Sequence, residues 1–247
     1  VVSIDTSAIQ ITLPSDSILN YNRNIGNVGD LGSILIYESL LEINRDGEGF
    51  LVFDGENDYV DLGANILSGD GDFSISLWIK SESTNVVIIQ QRNGGFNGEY
   101  QLNFNEFGKI NFWTYRNGYK WSVTSSESYN DNEWHHIVVV QDEIINGGTI
   151  YVDGISIGSN SNGIVYLDGN IHTYLGADMR EWANYLSGNI NDVHIFSSSL
   201  TSLEVNILFN NGVGFNTSYN HAGFNSSDYL IASYPMISMQ GNILIDF

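Results

Sequence analysis

The chain has 247 residues, 42% of them hydrophobic and 13% aromatic, which is enough apolar mass for one large packed domain and excludes global disorder. Acidic residues outnumber basic ones 29 to 8, for a formal net charge of −21; such a surface repels nucleic-acid phosphates and anionic membranes, attracts divalent cations, and also favours solubility by itself. There is no cysteine, which removes disulfides, thiolate metal sites and a cysteine nucleophile.

The first residues, Val1 to Leu13, read as a strand without the basic start of a signal peptide, as in a chain cut from something longer. An Asn/Gly-rich stretch follows from Asn20 to Gly32, and residues 1–45 are predicted as an extension carrying edge strands. Short apolar or alternating runs then recur between Gly, Asn and Asp, the residues that accept positive φ in turns. Strands are predicted at Gly49–Phe53, Phe73–Ile79, Val86–Gln90, Tyr100–Phe104, Lys109–Tyr115 and Trp134–Gln141. Further strands are predicted at Thr149–Val152, Ile155–Gly158, Ile171–Gly176 and Gly188–Phe196. In Phe73–Ile79 the apolar Phe, Ile, Leu and Ile alternate with Ser, Ser and Trp, as on a two-sided strand. About ten strands at this spacing point to an antiparallel sandwich and not to βαβ units.

One helix is predicted. Leu200, Leu203, Ile207 and Leu208 lie at helical spacing behind hydroxyl caps and ahead of Asn210-Asn211-Gly212, a stop signal. Residues 46–212 are therefore predicted as the sandwich and the Gly/Asn/Ser-rich 213–227 as a linker. Residues 228–247 are predicted as a strand segment or the start of a further repeat. No apolar run approaches the roughly 20 residues a membrane helix needs.

Four pieces in order carry a resemblance. They are Phe50 to Val60 (FLVFDGENDYV), Asp72 to Ile79 (DFSISLWI), Trp134 to Val140 with Thr149 to Gly154, and Tyr174-Leu175-Gly176 with Leu186 to Phe196 and the Leu200–Glu204 helix start. Together they resemble the laminin-G-like jelly-roll family, related to pentraxins and concanavalin A-like lectins. The resemblance implies an all-β, antiparallel jelly-roll β-sandwich with one short helix. The chain departs from the family at residues 18–45, whereas Leu230–Met236 with Gly241–Phe247 fits the family's opening better, so the tail is expected to start a second repeat or to supply an edge strand to this sandwich or to a neighbouring copy.

Three kinds of chemistry follow. Calcium needs several hard oxygen ligands, and Asp54, Asn57 and Asp58 crowd one turn. Because related sandwiches often carry a metal at the sheet rim, the resemblance nominates Asp54, Asn57, Asp58, Asp178 and Asp192, against the simpler role of Asp54 and Asp58 as turn caps. Sugar binding pairs an aromatic platform with amide and carboxylate partners. Trp113, Tyr115 and Trp121 lie close in sequence, and Arg180, Glu181, Trp182 and Tyr185 occupy the loop that helps form the ligand face in pentraxin-like relatives. Trp78 and Trp134 read as core. Glycosidase relatives carry alternating acids on one strand, but the acids of Glu56–Asp61 sit in the family's ordinary turn, so no enzymatic activity is expected. His135 and His136 are neighbours on a strand, point to opposite faces and cannot chelate one ion from there.

The sequence thus leads to a non-catalytic carbohydrate-binding or adhesion module of an extracellular, cell-surface or virion protein, calcium-stabilised, with glycans or neighbouring subunits as partners. The alternative is a structural subunit of a filament, fibre or capsid that assembles as a homo-oligomer or polymer through its terminal strands.

Overall fold

A computed structural model describes residues 50–95, 97–181, 183–212 and 223–234, together with strand backbone at 22–26, 34–38, 239–240 and 243–244. In chain order the strands begin with β1 (Asn22–Gly26), β2 (Ile34–Glu38), β3 (Phe50–Asp54), β4 (Val60–Gly63) and β5 (Phe73–Ser81). Next come β6 (Val86–Gln91), β7 (Asn97–Phe104), β8 (Lys109–Arg116), β9 (Tyr119–Ser128) and β10 (His135–Asp142). They continue with β11 (Gly147–Val152), β12 (Ile155–Asn160), β13 (Thr173–Leu175) and β14 (Ser187–Phe196). Helix α1 (Ser202–Phe209) precedes β15 (Leu230–Tyr234), β16 (Met239–Gln240) and β17 (Ile243–Leu244). The strands form a nine-stranded sheet in the order β1-β2-β3-β14-β5-β10-β11-β12, with β15 also paired to β14, and a six-stranded sheet in the order β4-β13-β6-β7-β8-β9. Every described pairing in these two sheets is antiparallel, and the result is a jelly-roll sandwich with a single α-helix among the described residues.

The period-2 pattern decides which side chains fill the space between the sheets. Ile75, Leu77 and Ile79 of β5 and Ile137 and Val139 of β10 meet Leu102, Phe104, Ile110 and Phe112 from the facing sheet. Each such side chain taken from water is worth about 1.5–3 kcal/mol. The opposite side of β10 is buried as well: Val138 and Val140 pack with Phe196, Leu200, Val205, Leu208 and Phe224 beneath α1. That double burial explains why Trp134–Gln141 is so rich in β-branched residues.

The helix starts where its caps dictate. The Thr201 hydroxyl accepts from the Glu204 N–H at 3.3 Å and the Glu204 carboxylate accepts from the Thr201 N–H at 2.9 Å, a reciprocal capping box. Asn210 closes the other end in the left-handed region, φ 43°. Glu204 reaches further, its Oε1 accepting from Asn225 N–H (3.0 Å) and the Ser226 hydroxyl (2.7 Å). Phe224 is fully buried, so the described residues 223–227 of the expected linker are packed structure; the remainder of that stretch lies outside the described residues.

Strand β14 has two partners on one edge. Ser187 to Ile190 pair with β3, and Val193 to Phe196 pair with β15. The junction is marked by a register shift between Asn191 and His194, where Asp192 has φ 46°. Leu230–Tyr234 therefore supplies a strand to the sandwich of its own chain.

Two strands were not anticipated from the sequence. β4 is short and half-exposed, and β9 is polar at most of its outward positions, which leaves little hydrophobic signal. Trp78 is buried, whereas Trp134 is half-buried with its ring edge-on to Phe50 at 5.7 Å.

Candidate functional site

The outward face of the six-stranded sheet follows from the register. Asp61, Tyr174, Gln90, Gln101, Trp113 and Ser122 are successive cross-strand partners, one per strand from β4 to β9. The next row, Leu175, Ile89, Leu102, Phe112 and Val123, belongs to the core. Side chains alternate along a strand, so the first row must point away from the core.

At the centre of that row are two buried amides. Gln90 and Gln101 are 0% and 7% exposed, and Gln101 Nε2 donates to Gln90 Oε1 at 3.1 Å. Gln90 Nε2 has no hydrogen-bond partner, a spare donor in a place where unmet donors cost free energy. Alongside, Asn111 Nδ2 donates to Asn103 Oδ1 at 2.9 Å and the Thr124 hydroxyl to Asn111 Oδ1 at 2.8 Å, a polar ladder across three strands.

Arg92 follows β6 and lies against Trp113, its guanidinium carbon 5.0 Å from the ring centroid. It donates to Asp178 Oδ2 at 3.1 Å, and its Nε is 3.7 Å from Glu99 Oε2. Both acids are buried, and Glu99 also accepts from the N–H groups of Asn93 (3.2 Å) and Gly94 (2.7 Å). Asp178 comes from the loop between β13 and β14, closed by a bridge from Asp178 to Ala183. Exposed Arg180 and Glu181 pair at its tip, and a Cβ added to Gly94 would lie 2.9 Å from the Arg180 stem.

Aromatic side chains flank this polar centre. On one side Tyr119 meets Trp113 and Tyr115 edge-on, at 5.9 and 5.2 Å. On the other, Tyr174 stacks with His172 at 5.8 Å and meets Tyr59 edge-on at 6.2 Å. The Tyr174 phenol is pushed up to about 12 by burial and then by the nearby Asp61 and Tyr59. Tyr185, half-buried, is raised by burial and then by Tyr59. β13 and β8 are three strand spacings apart, about 14 Å.

The expected ligand residues divide accordingly. Trp113, Tyr115, Arg180, Glu181 and Tyr185 gather on or beside this face. Trp121 does not: it is 1% exposed, its ring packs on Phe112 in the core at 4.7 Å, and its Nε1–H donates to Gln141 Oε1 at 3.1 Å. Trp182 lies outside the described residues. Gln90, Arg92, Glu99, Gln101 and Tyr174 were missed. A usable signal existed for one pair, since Gln90-Gln91 breaks an otherwise apolar strand.

The expected calcium ligands do not form one shell. Asp54 Oδ1 accepts from Glu56 N–H (2.8 Å) and Asn57 N–H (3.4 Å), and Asp58 Oδ2 accepts from Asp54 N–H (3.0 Å), which is the work of turn caps. Gly55, φ 84°, completes the turn. Asp178 is committed to Arg92, and Asp192 sits five residues along β14 from the Ser187 that pairs with Asp54, roughly 16 Å away. Among the described residues, no three or more His, Cys, Asp or Glu side chains are grouped to hold a metal ion. Asp58 is buried with Oδ1 unpartnered, and burial first, then the Asp54 charge, raise its carboxyl to about 6 despite the Asp54 N–H bond.

The two histidines separate as their strand position requires. His135 Nδ1 lies 2.7 Å from Asp153 Oδ2 and Nε2 3.1 Å from Asp131 Oδ1. His136 is buried, with Nε2 2.8 Å from the Ser76 hydroxyl.

Known structures show where this architecture recurs. Domain 4 of AbnA, a GH43 extracellular arabinanase from Geobacillus stearothermophilus, solved with arabinotriose, superposes with a TM-score of 0.57 at 19% identity, over 76% of this chain and 86% of that one. The heptameric SAP-like pentraxin from Limulus polyphemus gives 0.50 at 15% identity, over 64% and 80%. Mouse laminin α1 domains LG4-5 give 0.50 at 14% identity, over 78% of this chain and 48% of that one. At these identities the likeness is one of fold. None of the curated proteins matches the sequence. Residues 54–206 match the laminin G family described as the concanavalin A-like lectin/glucanases superfamily, and the chain belongs to that family.

Proposed function

We propose that the chain is a non-catalytic carbohydrate-binding module whose site is the outward face of the six-stranded sheet. One observation carries this reading: two aromatic groups, Trp113–Tyr115–Tyr119 and Tyr174–His172–Tyr59, flank the buried Gln90–Gln101 amide pair. A sugar ring has one apolar face and a polar rim, so aromatic sides and the half-buried Asn103–Asn111 amides beside the Gln pair match it in kind. The width of about 14 Å suits a short oligosaccharide lying across the strands. The arabinotriose complex of the arabinanase domain adds support by analogy of fold.

Binding without hydrolysis fits the carboxylates. Glu99 and Asp178 are both buried and share Arg92, so neither is presented to a glycosidic oxygen as an acid or a nucleophile. An extracellular or cell-surface setting agrees with this reading. Among the described residues no helix is long and apolar enough to cross a membrane. The test is a glycan array on the chain, followed by calorimetric titration of any ligand found. Trp113→Ala should weaken binding at least tenfold with the melting temperature held; unchanged affinity would remove this face as the site.

A further inference from the structure

We infer that this face selects neutral oligosaccharides and rejects carboxylated ones such as uronate or sialic-acid chains, an inference that rests on the carbohydrate reading above. An acidic sugar is normally held by a cation with unsatisfied donors, and a guanidinium grips a carboxylate with two parallel N–H bonds. The cation at the centre of this face is Arg92, and it is enclosed: its Nη1 donates to Asp178, and its buried Nε, which makes no hydrogen bond, faces Glu99. Asp178 accepts at 3.1 Å, Glu99 lies at 3.7 Å, and the Trp113 ring covers the guanidinium at 5.0 Å. Its side chain is only 13% exposed.

Two buried acids around one cation leave this centre with excess negative charge. The surroundings do not reverse it. Arg180 is paired with its neighbour Glu181, and Asp61, at the Tyr174 end of the row, is a further carboxylate, 2.9 Å from His172 Nδ1. By strand alternation Lys109 and Lys120 share this outward face, but Lys109 stands four residues along β8 from Trp113 and Lys120 two along β9 from Ser122, to either side of the Arg92 centre. An incoming carboxylate would therefore meet like charge and would have to take Arg92 from a buried partner, leaving that partner unpaired. A hydroxyl has no such penalty. It donates to or accepts from the amides of the Asn103–Asn111–Thr124 ladder, and its ring lies on the aromatic side chains. Arg92 is thus a positioning residue: it holds Trp113, Glu99 and Asp178 in place.

The experiment titrates the full chain with matched trisaccharides, galactotriose against trigalacturonate and cellotriose against cellotriuronate, after an array of neutral and carboxylated glycans has been screened at pH 7. Neutral ligands should bind at least tenfold more tightly than their carboxylated counterparts, with little change in affinity between low and high salt. The variant Asp178→Asn, whose single amide oxygen can keep the bond from Arg92 or the one from the Arg180 N–H but not both, should narrow that preference several-fold by removing one negative charge. Equal or tighter binding of the carboxylated partner would overturn the selection for neutral chains and leave the carbohydrate reading intact. Failure of every glycan on the array to bind would overturn the carbohydrate reading itself. A preference in the parent chain that Asp178→Asn leaves unchanged, at an unchanged melting temperature, would overturn the role given to the buried acids.

Discussion

Trp121 and Gly148 are fitted to each other: a Cβ added to Gly148 would lie 2.3 Å from the Trp121 ring, so β11 can pass the indole only with glycine at that position. Trp121 and Trp113, neighbours on paired strands, have opposite roles as a result. Trp121→Ala is expected to cost about 3–5 kcal/mol, because it empties a large core volume and strips Gln141 of a donor. Trp113→Ala is expected to cost under about 1 kcal/mol and to act on ligand affinity instead. Urea unfolding of the two variants checks the contrast, and a large stability loss in Trp113→Ala would contradict it.

Asp58 should make the fold sensitive to pH. Its carboxyl is raised in the folded chain to about 6, from an ordinary 3.8, so its contribution is fully present below about pH 3.8 and is lost as pH rises through 6. Asp58→Asn removes that ionisation while keeping an acceptor for the Asp54 N–H. It is expected to raise stability at pH 8 by roughly 1–2 kcal/mol and to leave it nearly unchanged at pH 4. Chelator is expected to leave the melting temperature unchanged; a drop on chelation would mean that the Asp54–Asp58 turn holds a cation after all.

His135 acts in the same direction through a different cause. Burial opposes its charged form, but the hydrogen bonds and charges of Asp153 and Asp131 outweigh that, and its pKa is raised. Its stabilisation is therefore complete below about pH 6.5 and lost as pH rises through the folded-state value. Asp131 is lowered, its own burial being outweighed by the Glu133 N–H and by His135, so its part is present above the usual Asp range and lost in acid. His135→Gln should flatten the melting-temperature profile between pH 6 and 8, and an unaltered slope would refute the coupling.

Glu204 holds the segment that follows the helix. Glu204→Ala removes the acceptor for Thr201, Asn225 and Ser226 together and should cost about 2–3 kcal/mol. Phe224→Ala should cost about 3–5 kcal/mol by opening the layer beneath α1. Hydrogen exchange should then accelerate first in β15, and uniform acceleration across the sandwich would show that the segment is not a separate unit.

The fold was legible where side-chain period and turn chemistry agree. In β5 the alternation of Phe73, Ile75, Leu77 and Ile79 with Ser74, Ser76 and Trp78 matches the two sides observed. The helix was legible from its cap and its stop. Trp121 was misplaced for a physical reason. Two Trp residues eight apart would share a face along one strand, but the chain turns at Asn117-Gly118 and the register shifts between Trp113 and Tyr115, which sends Trp121 inward. The polar centre was not legible because Arg92, Glu99 and Asp178 come from three elements, and nothing local in Asp178 marks it as the partner of a residue 86 positions away.

The divided edge of β14 also bears on how the protein is made. β3 and β15 continue one another along that edge, yet they come from opposite ends of the described chain. A ribosome releases Phe50 long before Tyr234, so until the later segment emerges the lower half of β14 has an open edge and α1 lacks the Phe224 beneath it. Contacts this distant in sequence go with slow folding, in milliseconds to seconds, and during that interval the net charge of −21 opposes pairing between the open edges of neighbouring copies.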